Sequence, residues 1–99
     1  DWGWAPDYVR GMWTMLQQAA PNDYVFATGT LHKVQDWIEV AFDRAGLKWQ
    51  DYVAFDDRFV RPVESKPLCG NAAKARSMLG WKPTKDFESI VSTMFDHEL

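Results

Sequence analysis

Ninety-nine residues allow one domain at most, and a net charge of −3 from 14 acidic and 11 basic side chains leaves no Lys/Arg patch for a nucleic-acid partner. No apolar run is long enough to span a bilayer and no signal peptide opens the chain, so no membrane partner is expected. A lone cysteine, Cys69, excludes an internal disulfide. It fits a reducing, cytoplasmic setting, and with His32 and His97 distant in sequence it reads as a buried, inert thiol. Six Trp and 15% aromatic residues can still build a core of useful size.

The lead-in Asp1–Pro6 (DWGWAP) carries Gly and Pro and reads as irregular. A helix is expected over 7–19, because Tyr8, Val9, Met12, Trp13 and Leu16 recur at three- and four-residue steps. Asp7 would cap it and Pro21-Asn22-Asp23 would stop it. This Met/Trp stripe reads as core-facing. Residues 23–28 (DYVFAT) read as a short strand closed by Gly29 and, lacking clean alternation, one buried on both faces.

The strongest periodicity follows, with Val34, Trp37, Ile38, Ala41, Phe42 and Ala45 marking a helix over 32–45 that Gly46 ends. Thr30 is its best available cap. His32, in its first turn, reads as solvated and has no second ligand at metal spacing. Residues 51–55 (DYVAF) and 59–61 read as further short strands around the polar turn Asp56-Asp57-Arg58.

The stretch Arg61-Pro62-Val63-Glu64 carries the only suggestive chemistry. A guanidinium takes diphosphate oxygens bidentately, a carboxylate accepts from vicinal hydroxyls, and Pro62 biases Arg61 towards extended geometry. On spacing alone a structural ion pair near a strand end is the favoured reading of Arg61 and Glu64, since short motifs of this kind recur by chance. Asn71 would cap a helix over 72–79, Gly80 ends it, and Asp86 would cap a last helix over 86–97 with Phe87, Ile90, Val91, Met94 and Phe95 inward. The expected fold class is therefore mixed α/β, with four helices and three short strands in one domain, 1–99.

Taken together, these pieces carry a family resemblance. In order stand D-W-G (1–3), D-Y-V (7–9), G-M-W-x-M-L-Q (11–17), D-Y-V-x-A-T-G (23–29), R-P-x-E (61–64), K-A-R (74–76) and L-G-W-x-P (79–83). Over essentially its whole length the chain resembles the C-terminal, substrate-binding portion of the GDP-mannose 4,6-dehydratases, a branch of the extended short-chain dehydrogenase/reductases. That resemblance implies a lyase that, when intact, uses NADP to convert GDP-mannose to its 4-keto-6-deoxy product. It implies that Arg61 holds the diphosphate and Glu64 the guanosine ribose.

It further implies that the Rossmann half, with its Gly-rich NADP cradle and its Ser/Thr, Glu and Tyr-x-x-x-Lys catalytic set, lies outside these 99 residues. Tyr8, Tyr24 and Tyr52 are followed four residues later by Met12, Thr28 and Asp56, never by Lys. The expectation is thus no catalytic residue and no cofactor in this chain, weak GDP-mannose recognition, and helix 7–19 and strand 23–28 deprived of their covering sheet. Uncovered apolar faces favour a homodimer or higher oligomer, with Trp13 or Trp37 in or near the interface. A free-standing, non-catalytic module acting by oligomerisation or protein interaction is the alternative.

Overall fold

The computed structural model describes residues 1–63 and 66–99. Among the described residues four α-helices carry the fold: α1 (Ala5–Leu16), α2 (Val34–Ala45), α3 (Ala73–Leu79) and α4 (Phe87–Glu98), with 3-10 turns at Trp49–Asp51 and Asp57–Phe59.

Helix α1 starts two residues earlier than the periodicity suggested, because Pro6 presets the dihedral of its first turn. It also ends earlier: the Gln17 and Gln18 side chains fold back to donate to the Trp13 and Thr14 carbonyls. Asp7 is not the cap. Its carboxylate is buried and bonded elsewhere, while Trp4 occupies the cap position. Helix α2 is capped by Asp36, whose carboxylate accepts the Lys33 N–H at 2.6 Å, and not by Thr30. The Gly46 terminus, in the left-handed region at φ 70°, is as expected. Asn71 Oδ1 accepts the Ala73 N–H at 3.0 Å, and Asp86 accepts the Ser89 N–H at 2.8 Å, so both expected side chains serve the starts of α3 and α4.

The mixed α/β expectation is corrected, since the described residues contain no strand. A strand exists only through a ladder, and segment 23–28 makes no backbone–backbone hydrogen bond to another segment among the described residues. Residues 51–55 lose their ladder donors locally: the Tyr52 and Val53 amides both donate to the Trp49 carbonyl. Residues 59–61 follow a 3-10 turn that Asp56 caps by accepting from the Arg58 N–H.

Trp81 anchors one end of the molecule. It is 3% exposed, packs with Ala72 and Ala75, and lies 4.9 Å from the Phe26 ring and 6.2 Å from the Tyr8 ring. Its indole N–H donates to the Asp7 carbonyl at 2.7 Å, so the L-G-W-x-P turn is sewn to the start of α1. At the other end α2 packs on α4 through Ala41, Ile90 and Val91, and Arg44 forks onto Asp96.

The two ends do not merge into one compact core. The radius of gyration is 17.0 Å, against about 13 Å for a compact chain of this length. The accessible surface is 7972 Å², against roughly 5,800 Å² for a compact monomer of 11.5 kDa. Much of the surplus is apolar. Val9, Met12, Trp13 and Leu16, expected to face the core, are all exposed on α1, which instead turns Asp7 and Gly11 inward.

Candidate functional site

Arg61 follows the Asp57–Phe59 turn in an exposed stretch in which Phe59, Val60 and Val63 are also uncovered. The turn is set by Asp56, which accepts from the Arg58 backbone N–H at 2.9 Å and from its guanidinium at 2.6 Å. Those hydrogen bonds hold the Asp56 carboxyl below the usual carboxylate range. Glu64 lies outside the described residues, so the Arg61–Glu64 pair is not described as a pair.

Just beyond, Cys69 is exposed and not buried as expected. Gly70 approaches Ala27 so closely that an added methyl would overlap it. Asp1 gathers this region. Its Oδ1 accepts from the Thr28 N–H at 2.8 Å and the Thr28 hydroxyl at 2.5 Å, and its Oδ2 from the Gly29 N–H at 2.9 Å and the Gly70 N–H at 3.0 Å. Nothing periodic marks Asp1 in the sequence.

A cleft of about 720 Å³ opens beside this cluster, with Trp2, Thr30, Arg76, Lys82 and Phe87 in its lining. The Phe87 ring stacks on His32 at 3.9 Å and on Trp2 at 5.8 Å. His32 is therefore half-buried against an aromatic face, with its Nδ1 4.0 Å from Asp36, and is not the solvated residue expected. Lys85 is engaged, donating to the Thr93 hydroxyl at 2.7 Å and standing over the Trp4 ring. Arg76, from the K-A-R motif, lines both this cleft and a smaller one of about 340 Å³ bounded by Gly29, Gly70 and Asn71. Arg61 is not among the residues lining either cleft.

Below them Asp7, 2% exposed, ties the ends of the chain together. Its carboxylate accepts from the Thr84 N–H at 2.8 Å, the Thr84 hydroxyl at 2.6 Å and Arg10 Nη1 at 3.0 Å. Burial pushes the Asp7 carboxyl up, but the Thr84 donors and the Arg10 charge outweigh it and hold the group below its ordinary value.

These groups can receive an anion and polar hydroxyls. Among the described residues no cluster of His, Cys, Asp or Glu could hold a metal ion, and no helix is long and apolar enough to cross a membrane.

Comparison with known proteins supplies the frame. The family model described as GDP-mannose 4,6 dehydratase matches residues 1–94. The chain is 50% identical, over its full length, to GDP-mannose 4,6 dehydratase 1 and to GDP-mannose 4,6 dehydratase 2 of Arabidopsis thaliana, covering 27% and 26% of them. It is 36% identical to the GDP-mannose 4,6 dehydratase of Homo sapiens, where 95% of the chain aligns with 30% of that protein. The chain thus spans about a quarter to a third of the length of these relatives, and it belongs to the GDP-mannose 4,6-dehydratase family.

Proposed function

We propose that these residues form the C-terminal, substrate-recognition part of a GDP-mannose 4,6-dehydratase. In this reading Arg61 contacts the diphosphate of GDP-mannose and Glu64 accepts from the ribose hydroxyls of its guanosine. A guanidinium matches two diphosphate oxygens at once, and its permanent charge needs no proton bookkeeping. The observation that carries the reading is R-P-x-E standing in order within a chain that matches the family over residues 1–94. The exposure of Arg61 supports it, since an exposed side chain is accessible to a ligand.

The intact protein would eliminate water from GDP-mannose with NADP as its redox group. The residues present do not fit that dinucleotide: α1 opens on Trp4-Ala5-Pro6, with no strand and Gly-rich turn leading into it. The proton- and hydride-transfer chemistry is assigned to residues outside this chain. The surplus of roughly 2,200 Å² of surface over a compact monomer and the uncovered α1 stripe support a chain whose faces are covered in the working protein. In isolation the same stripe drives self-association, with Trp13 uncovered on α1 and Trp37, half-buried on α2, the other aromatic of the expected interface. The alternative, a free-standing module acting through protein contacts, draws on that same uncovered surface.

Calorimetric titration of the chain with GDP and with GDP-mannose tests the recognition reading. Heat is expected in the high-micromolar to millimolar range, lost in Arg61→Ala. No measurable heat at millimolar ligand would remove it.

A further inference from the structure

The hydrogen bonds that anchor the stretch carrying Arg61 lie, among the described residues, at its two ends. Among the described residues, no hydrogen bond links positions 61–68 to the rest of the chain. On the upstream side the last anchors are the Phe59 and Val60 amides, which donate to the Asp56 and Asp57 carbonyls. On the downstream side the first strong anchor is the Gly70 N–H, 3.0 Å from Asp1 Oδ2, with only a weak 4.0 Å approach of the Cys69 thiol to the same oxygen.

That downstream anchor is built with unusual strength. One carboxylate accepts four donors from two separate backbone segments, and an ionised acceptor shortens and strengthens each bond. The absence of a side chain at Gly70 brings its backbone against Ala27, so the Thr28-Gly29 and Gly70 backbones meet at Asp1 without a spacer. Gly29, at φ 78°, turns its own N–H towards the same oxygen.

We propose that Asp1 is the positioning residue of the Arg61 segment: by clamping Gly70 to the Thr28-Gly29 turn, it fixes the downstream end of that segment and so limits where the Arg61 guanidinium can reach a nucleoside diphosphate. This rests on the reading of Arg61 as the diphosphate contact. An Asn at position 1 keeps one acceptor oxygen and turns the other into a donor. It must therefore give up either the Thr28 N–H bond, with the Thr28 hydroxyl turned round to accept, or the Gly29–Gly70 pair.

The test uses Asp1→Asn and Gly70→Ala in the 99-residue chain, with backbone nitrogen relaxation and GDP affinity as readouts. Both variants are expected to lower the order parameters from Arg61 to Gly70 and to weaken GDP binding roughly fivefold or more, at a temperature well below the melting transition. A purely structural carboxylate would lower the melting temperature and leave the affinity of the folded chain unchanged, which overturns the proposal. Unchanged order parameters in both variants overturn the clamp itself, whatever the ligand does. Arg61→Ala separates the two levels. If it leaves GDP affinity intact, the diphosphate reading fails; if it weakens GDP while Asp1→Asn and Gly70→Ala do not, the positioning role fails alone.

Discussion

Replacing Asp7 by Asn alters one side-chain atom at the point where the start of α1 meets the turn before α4. Three donors converge on that carboxylate: the Thr84 N–H on Oδ2, and the Thr84 hydroxyl and Arg10 on Oδ1. With the amide oxygen at Oδ1, the new NH2 faces the Thr84 N–H, donor against donor. The reverse placement sets the NH2 against the Arg10 guanidinium, donor against donor, and makes the Thr84 hydroxyl accept instead of donate. A buried donor left without an acceptor costs about 1–3 kcal/mol. The Arg10 contribution adds only a few tenths to ~1 kcal/mol, because that side chain is 43% exposed and screened.

The expected loss is therefore about 2–3 kcal/mol at pH 7, or roughly 10–20 °C in Tm for a chain of this size. Urea denaturation followed by circular dichroism at pH 7 and at pH 3 measures it. Because the folded-state pKa of Asp7 lies below its ordinary value, its stabilising ionisation is fully present above about pH 4 and is lost as pH falls through the folded pKa. The gap between wild type and Asp7→Asn must then narrow at pH 3. A gap below about 0.5 kcal/mol at pH 7, or one that stays constant with pH, would refute the three-donor picture.

Gly11→Ala sets helix propensity against packing: Ala gains about 1 kcal/mol in a helix, but the new methyl would lie 2.7 Å from the Phe26 ring, a clash that costs roughly 1–3 kcal/mol. Net destabilisation in thermal melts is expected, and a clear rise in Tm would show that Phe26 swings aside freely. Arg44→Ala removes the two-pronged contact to Asp96 between α2 and α4. Since both side chains are about half exposed, only a small drop in Tm is expected, vanishing in 1 M salt; a large, salt-independent drop would contradict a solvent-screened pair.

What could be read from the sequence follows physical range. The Asp86 cap, the Gly46 and Gly80 stops and the 3.6-residue period of α2 are written within a few neighbouring residues, and those features stand as expected, though α2 begins at Val34 and not at His32. The strands were not legible because a ladder needs a partner, and Tyr24–Thr28 has none among the described residues. Periodicity identified the Val9, Met12, Trp13 and Leu16 stripe correctly as one face, but a period cannot say whether anything covers that face. The Asp1 cluster was missed for a third reason. Its donors lie 27, 28 and 69 residues away, and a single carboxylate with no repeat leaves no local trace. The R-P-x-E motif was found through its place in a family pattern, while its spacing alone favoured a plain ion pair.

The uncovered surface decides most about how this chain works. Light scattering on the 99-residue chain across a wide concentration range, with Trp13→Ser beside it, reads that surface directly. A mass of two or more copies, falling towards the monomer in Trp13→Ser or in the matching Trp37→Ser, is expected of a recognition part whose apolar faces normally lie against other protein. A stable monomer at high concentration would contradict it.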